Sequence, residues 1–263
     1  MESVRKYGKE PFRIALLHGG PGIAGEMKPV AEELSLETGV LEPLQTADSV
    51  NGQLEELYKQ LLDSAELPVI LCGYSWGAWL AFLFAGRWPE MVRKLILISA
   101  GSFEVQYTHM MMTTRFERLN KKERREAEKL LYHINFRNPD NNDLLQFGKL
   151  MTIADSYDLL DSTDEEVTAD IHISQSIWKE AAELRDSNRL VESTKLLKCP
   201  VVAIHGNHDP HLATGVEHPL GDRLNDFRMI RIDQCGHTPW KERHARDTFY
   251  TILKKEISYN SIR

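Results

Sequence analysis

Uninterrupted apolar segments that alternate with helical periodicities are the feature that most constrains the fold of this chain. The segments PVILCG (68–73), KLILIS (94–99) and CPVVAIHG (199–206) show no alternation of apolar and polar residues. Strands of this kind are buried on both faces, as in parallel sheets that helices cover on both sides. Between the first two lies the apolar helical segment WGAWLAFLFAGRW, which Pro89 ends. The sequence therefore predicts an α/β fold with a mostly parallel central sheet flanked by helices.

The other elements follow the same alternation. Three further segments are predicted as strands, namely FRIALLH (12–18), the weaker GVLEPLQ (39–45) and FRMIRID (227–233). Apolar residues at helical spacing predict two helices before residue 68 and one closing helix. The three sets are Met27, Val30, Ala31 and Leu34; Leu54, Leu57 and Leu61; and Trp240, Phe249, Ile252, Leu253 and Ile257.

The alternation stops between residues 103 and 197, where helical signals dominate and the sequence shows no buried strand. Asn120 with Glu123, and Thr163 with Glu166, have the spacing of capping pairs at helix starts. We therefore predict a core domain formed by residues 1–102 and 198–263, and a helical cap over residues 103–197, called the helical insert below. An insert at the carboxyl edge of a parallel sheet covers the place where such sheets bind ligands.

Composition and charge argue against several function classes. The net charge of −7 and the lack of a basic stripe argue against a nucleic-acid partner. The sequence contains no apolar run of the length that spans a bilayer, so we expect no membrane partner. The N-terminus lacks the pattern of a signal peptide, and three widely spaced cysteines fit a reducing compartment. These features predict a cytoplasmic protein.

The stretch LCGYSWGAW places a serine where a predicted buried strand meets a predicted helix. A sharp strand-to-helix turn exposes the side chain of its central residue. The residues two positions to either side must be small, because the strand and the helix approach each other there. Gly73 and Gly77 meet this requirement. Ser75 is therefore the candidate nucleophile.

A nucleophilic serine needs a base, and the base needs a carboxylate that orients it. His237 is the candidate base, because CGHTPW follows the last predicted strand and precedes the closing helix. Asp209, in NHDP directly after the strand CPVVAIHG, is the favoured carboxylate. Asp233, four residues before His237, is the alternative carboxylate. A surface salt bridge is the simpler, non-catalytic explanation for Asp233.

Acyl transfer also needs backbone N–H donors for the developing oxyanion. One donor is expected from Trp76, which directly follows the candidate nucleophile. The other is expected from Gly20 in the loop HGGPG, which follows the first of the long predicted strands. Glycines allow the backbone of such a loop to approach a substrate closely.

With these residues assigned, the chain resembles the α/β-hydrolases. The segments HGGPG, GYSWG, RWPEMVRKLILIS, HGNHDP and CGHTPW fall in the order typical of that family. The resemblance implies an α/β-hydrolase fold with a helical cap between strands, and a water-dependent acyl transfer without cofactor. We also expect no metal. The resemblance also implies that Ser75 attacks, His237 shuttles the proton, and Asp209 orients the imidazole.

Within that family, HGGPG and a tryptophan after the nucleophile resemble proline iminopeptidases, and small carboxylesterases share much of the pattern. The peptidase elbow usually has glycine where this chain has Tyr74. The peptidase resemblance implies an acid in the cap that holds the substrate amine, and Glu165, Glu166 and Glu180 are candidates. Trp178 is a candidate for the pocket wall or for packing. We expect a small-molecule ester or amide substrate, with an ester favoured and an amino-terminal peptide bond as the alternative.

Two other function classes compete with this interpretation. His205, His208, Asp209 and His211, with His218 nearby, are suitable ligand types for a metal-dependent hydrolase. Their spacing differs from that of metallo-β-lactamase-like hydrolases, and a metal leaves GYSWG and HGGPG without a role. A ligand sensor built on a hydrolase fold is the second alternative, which the presence of every catalytic element argues against.

Overall fold

The computed structural model describes residues 3–160 and 167–258 of the 263-residue chain. Within these ranges the chain forms nine strands: β1 (Val4–Tyr7), β2 (Phe12–Leu17), β3 (Ile23–Ala24), β4 (Gly39–Pro43), β5 (Val69–Tyr74), β6 (Val92–Ile98), β7 (Thr168–Ala169), β8 (Val201–Gly206) and β9 (Phe227–Ile232). The same ranges contain ten α-helices: α1 (Lys28–Ser35), α2 (Val50–Ser64), α3 (Trp76–Arg87), α4 (Met111–Arg118), α5 (Lys121–Phe136), α6 (Asn141–Asp155), α7 (Ile171–Asp186), α8 (Arg189–Glu192), α9 (Thr214–Gly221) and α10 (Arg246–Ser258).

Seven of the strands form one sheet in the order β1-β4-β2-β5-β6-β8-β9. The edge strand β1 is antiparallel to β4, and the other neighbouring pairs are parallel. The prediction of a mostly parallel sheet is therefore confirmed. The sequence did not predict β1, because the segment VRKY is short and half polar.

Helices cover both faces of this sheet. Val69 and Leu71 of β5 face one apolar core, which α2 and α3 complete. Ile70 and Cys72 of the same strand face a second core, which α1 and α10 complete. Burying a large apolar side chain contributes about 1.5–3 kcal/mol. Burial on both faces explains why the strand sequences are continuously apolar rather than alternating.

The segment between β6 and β8 contains α4 to α8 and the short strand β7. This strand pairs antiparallel with β3, which follows the HGGPG loop of the core. The side chain of Asn120 accepts from the backbone N–H groups of Lys122 and Glu123, and the Glu123 carboxylate accepts from the Asn120 N–H, so the predicted capping pair is present at α5. The second predicted pair, Thr163 with Glu166, lies outside the described residues.

Two helices differ from the sequence-based expectation. The closing helix α10 begins at Arg246 rather than near Trp240, which instead lies in a short 3-10 turn, Pro239–Lys241. Helix α9 was not predicted, because its sequence TGVEHPLG contains two glycines and an internal proline. Among the described helices, none has the length and apolar character needed to cross a membrane.

Candidate active site

Ser75 lies at the elbow between β5 and α3. Its φ of 51° and ψ of −113° lie in a region that residues other than glycine rarely adopt. A Cβ atom on Gly73 would lie 2.1 Å from the carbonyl oxygen of Gly77, and one on Gly77 would lie 2.4 Å from that of His18. Both glycines are therefore required by close backbone contacts. The turn places Ser75 on the wall of a cavity at the carboxyl edge of the sheet.

His237 lies in the loop between β9 and the turn Pro239–Lys241. Its Nε2 atom is 3.0 Å from Ser75 Oγ, and its Nδ1 atom is 2.7 Å from Asp209 Oδ2. With its proton on Nδ1, the imidazole donates to the carboxylate and leaves Nε2 to accept the serine proton. The structure thus brings together three residues that the sequence places after three different strands.

Asp209 lies in the loop after β8 and is buried. Its Oδ1 atom accepts the backbone N–H of His211 at 2.8 Å, while Oδ2 faces His237. The alternative carboxylate, Asp233, is exposed and accepts from the side-chain amide of Asn207 at 2.5 Å. The geometry therefore favours Asp209 over Asp233 as the partner of His237.

Burial and neighbouring charges set the protonation of this pair. Burial acts to raise the pKa of the Asp209 carboxyl, but the charges of His237 and His205 and the hydrogen bond from His237 outweigh it, and the pKa lies well below its usual range. Burial acts to lower the pKa of His237, but the charge of Asp209 and their hydrogen bond raise it above 6.5. A more basic imidazole suits a group that must take a proton from a hydroxyl.

The two candidate oxyanion donors line the same cavity as Ser75. Trp76 is the first residue of α3, so its backbone N–H has no acceptor within the helix. Its indole N–H donates to Gln53 at 3.1 Å, which fixes the side chain. Gly20 lies in the loop after β2, and its carbonyl oxygen accepts the N–H of Ile23 at 2.7 Å. The loop is thereby closed into a turn beside Ser75.

The histidine at the start of this loop has a structural role. His18 is fully buried, its Nδ1–H donates to the carbonyl oxygen of Gly19, and its Nε2 accepts the backbone N–H of Gln45. Burial lowers the pKa of His18 to about 4. The side chain is therefore neutral at physiological pH and holds the loop rather than taking part in proton transfer.

A cavity of about 370 Å³ opens in front of Ser75. This volume lies in the range of small-molecule pockets. Core aromatic residues that line it are Tyr74, Trp76, Trp79 and Trp240. The helical insert supplies, among others, Met111, Arg115, Leu144, Phe147, Gly148, Met151, Thr152, Asp155, Trp178 and Arg185. The cavity therefore lies between the core and the insert, and Trp178 belongs to its wall.

An ion pair on the wall of this cavity joins two helices of the insert and contacts His211, the neighbour of His237. Arg115 of α4 donates from Nε and Nη2 to the two carboxylate oxygens of Asp155, at 2.7 and 2.6 Å. The same Nη2 lies 3.2 Å from Nε2 of His211, whose ring stacks on that of His237 with centroids 4.7 Å apart. Burial and the charge of His237 hold the pKa of His211 well below 6.5. A neutral imidazole therefore separates the Arg115 guanidinium from His237.

A buried carboxylate holds the backbone around His237. Glu242 is fully buried and accepts from the backbone N–H groups of Gly236, Tyr157 and Asp158, at 2.8, 2.9 and 2.8 Å. The N–H of His237 itself donates to the carbonyl oxygen of Asp155 at 3.0 Å. The loop of the candidate base is therefore hydrogen-bonded to the chain that leaves α6.

We expect Glu242→Gln to lower both stability and turnover. The amide places an N–H group where a carboxylate oxygen accepted a backbone N–H, and leaving a buried donor unsatisfied costs about 1–3 kcal/mol. Thermal unfolding and kcat measure the two effects. The matched control is Glu66→Gln, which removes an exposed ion pair with Arg13 and should cost about 1 kcal/mol or less. Equal behaviour of the two variants would contradict the role given to Glu242.

The structure does not gather the five candidate metal ligands into one site. His205 Nε2 donates to the carbonyl oxygen of His211 at 2.6 Å, and His218 contacts the hydroxyl of Tyr107 at 3.3 Å. Among the described residues, the group close enough to hold an ion is Asp209, His211 and His237. Two of these are hydrogen-bonded to each other, so the geometry favours the serine interpretation over a metal site.

The candidate acids of the insert do not form an amine site in the described structure. The carboxylate of Glu180 accepts the backbone N–H of Val50 at the start of α2, and Glu180 is not among the residues that line the cavity. Glu165 and Glu166 lie outside the described residues. The described acids on the cavity wall are Glu26 from the core and Asp155 from the insert, and sequence analysis identified neither.

Comparison with known proteins identifies a matching family and structures with the same fold. Residues 45–244 match the model of the serine aminopeptidase family S33. A curated relative is the proline iminopeptidase of Saccharolobus solfataricus, which is 29% identical over 268 residues, covering 93% of this chain and 84% of that protein.

Solved structures resemble this chain over nearly its whole length. One is an α/β-hydrolase enzyme from the metagenome of sediments of the Mar Chica lagoon, with 18% identity, coverage of 98% of this chain and 95% of that chain, and a TM-score of 0.64. Another is the meta-cleavage product hydrolase of Pseudomonas fluorescens IP01, with 16% identity, coverage of 97% and 93%, and a TM-score of 0.66. At these identities the likeness shows a shared fold, and the predicted fold class is confirmed.

Proposed function

Because the chain belongs to the serine aminopeptidase S33 family of α/β-hydrolases, we propose that it cleaves an ester or amide bond of a small molecule through an acyl-enzyme on Ser75. The observation that carries this proposal is the hydrogen-bonded series Ser75, His237 and Asp209 on the wall of the cavity. The substrate occupies the cavity between the core and the helical insert. The reaction as proposed uses water and needs neither a cofactor nor a metal.

In the first half of the reaction, Ser75 Oγ attacks the acyl carbon while His237 Nε2 takes its proton. The carboxylate of Asp209 stabilises the imidazolium that forms. The oxyanion accepts from the backbone N–H groups of Gly20 and Trp76, and each such donor contributes about 3 kcal/mol to transition-state stabilisation. His237 then gives the proton to the leaving group, and the acyl group stays on Ser75.

In the second half, water takes the place of the leaving group. His237 removes a proton from that water, which attacks the acyl carbon, and the proton then returns to Ser75 Oγ as the acid leaves. The arrangement requires His237 to be neutral before each attack. Activity should therefore fall as the pH drops below the raised pKa of His237.

The polar groups of the cavity favour an ester over a free amino terminus. Both carboxylate oxygens of Asp155 already accept from Arg115. A substrate ammonium would have to compete with the guanidinium for that carboxylate. Drawing Asp155 away from Arg115 is costly, since the buried guanidinium then has no carboxylate partner. A neutral acyl group meets no such penalty.

An aminopeptidase activity is the second candidate, supported by the family and by the proline iminopeptidase relative. In this version the substrate amine approaches Glu26, the acid that the core contributes to the cavity wall. The reaction at Ser75 is the same, and only the recognition of the substrate differs.

A panel of p-nitrophenyl esters and amino-acid p-nitroanilides tests the choice. We expect small neutral esters to be cleaved faster than proline p-nitroanilide, and acetylation of the proline amine to change its rate little. Measured kcat/KM values decide between the two candidates. Fast cleavage of unblocked proline anilide, lost on acetylation, would establish the aminopeptidase instead.

Matched carboxylate variants sharpen this test. If an amine is recognised, Glu26→Gln should raise KM for the free amine substrate and spare the blocked one. Glu180→Gln is the control, because its carboxylate binds the start of α2 and does not line the cavity. If the protein instead prefers neutral esters, neither substitution should change the ratio of kcat/KM between the free and the blocked anilide.

A further inference from the structure

Helix α6 carries a glycine at its centre that neither packing nor backbone geometry requires. Gly148 is an interior residue of Asn141–Asp155, where glycine destabilises a helix relative to alanine. A Cβ atom built on Gly148 would meet no atom within 4 Å, and its φ is not in the left-handed region. The residue nevertheless lines the cavity in front of Ser75. Its missing side chain therefore leaves open volume inside that cavity.

The cavity follows α6 away from the candidate base. Leu144, Gly148, Met151 and Asp155 recur at helical spacing on one face, and all four line the cavity. At the near end, the carbonyl oxygen of Asp155 accepts the N–H of His237 at 3.0 Å. With a rise of 1.5 Å per residue, the helix between Asp155 and Gly148 spans about 10 Å. A molecule bound along this face thus extends from the base to the glycine.

The chemistry of this face changes along its length. Near His237 it carries the Arg115–Asp155 ion pair. Around Gly148 the cavity-lining neighbours on α6 are the apolar Leu144, Phe147 and Met151, together with Thr152, whose hydroxyl donates to the carbonyl oxygen of Gly148 at 3.0 Å. A substrate group that reaches the glycine is therefore favoured by burial of apolar surface rather than by polar contacts.

We infer that the space beside Gly148 is a subsite for an apolar acyl chain, and that Gly148 sets the length of chain that is accepted. This inference rests on the proposed hydrolase function and specifies its substrate class as esters of medium-length apolar acids. The carbonyl carbon lies at Ser75, and the chain runs along α6 past Met151. A side chain at position 148 occupies the volume that the end of the chain needs.

A chain-length series tests the subsite. For the wild type, kcat/KM should rise about fourfold with each added methylene from p-nitrophenyl acetate towards the octanoate, the gain expected for burying one methylene group. Gly148→Leu should lower the octanoate-to-acetate ratio of kcat/KM at least tenfold. Gly148→Ala should lower it less and should raise Tm, since alanine is the better helix former. Lys149→Leu, at the neighbouring exposed position, should keep the wild-type ratio.

A binding measurement separates this inference from the proposed function. In the Ser75→Ala background, octanoate should raise Tm more than it does in the Ser75→Ala, Gly148→Leu double variant. Equal shifts in the two backgrounds, or equal chain-length ratios in the wild type and Gly148→Leu, overturn the subsite. If no ester is cleaved but octanoate shifts the Tm of the two variants by different amounts, the subsite is supported and the proposed reaction is wrong.

Discussion

Ser75→Ala is expected to reduce hydrolysis to background while the protein keeps its fold. Removing the nucleophile of a serine hydrolase costs about a millionfold in kcat, as in subtilisin. Turnover of the best substrate found in the ester and anilide panel measures the loss. Thermal unfolding should change little. The Ser75 hydroxyl faces the cavity rather than the core, so replacing it with hydrogen removes no packing contact.

Labelling by an active-serine phosphonate is a second, independent test of the same variant. The wild type should be labelled and Ser75→Ala should not. Ser102→Ala is the matched control, because Ser102 also lines the cavity and its variant should still be labelled. Labelling of Ser75→Ala at the wild-type level would remove Ser75 from the proposed role.

Asp209→Asn is expected to lower kcat by about ten-thousandfold, the loss seen in the serine protease whose triad aspartate is changed to asparagine. The amide allows the wrong imidazole tautomer, so that Nε2 no longer accepts the serine proton. Asp233→Asn is the control, since Asp233 is exposed and bonded to Asn207. If Asp233→Asn produces the larger loss, the carboxylate has been wrongly assigned.

The pH dependence of the Asp209 variant has a defined direction. The charge of Asp209 raises the pKa of His237 above 6.5 in the wild type. Because the neutral imidazole is the active form, wild-type activity falls as the pH drops through that raised pKa. Without the charge the pKa of His237 falls, so the residual activity of Asp209→Asn should persist to lower pH. A pH–rate profile that moves the other way contradicts the electrostatic role of Asp209.

The sequence predicted those parts of the candidate site that local backbone geometry determines. GYSWG specifies its own turn, because only glycine fits at positions 73 and 77 between close backbone atoms. The candidate base and the candidate carboxylate could be predicted from the sequence for a related reason. Loops that follow parallel strands meet at one edge of the sheet, so position after a strand predicts proximity in space.

The parts that the sequence did not predict depend on contacts between distant segments. Arg115 and Asp155 lie on two helices of the insert, and how such helices pack cannot be read from their periodicity. Glu242 lies in the polar run KERH, which is typical of a surface, yet it is buried because Tyr157 and Asp158 bring their N–H groups to it. An acid in such a run gives no local signal of burial.

The helical insert is hydrogen-bonded to two of the segments that carry candidate catalytic groups. Through β7 it pairs with β3, directly after the loop of Gly20, and through Asp155 it holds the backbone of His237. Opening of an insert attached in this way breaks the pairing of β3 with β7 and the hydrogen bond between the His237 N–H and the Asp155 carbonyl oxygen. Its displacement therefore disturbs the loops of the candidate oxyanion donor Gly20 and the candidate base His237. Under the proposed function, closure over the substrate and catalytic competence are then two descriptions of a single conformational equilibrium.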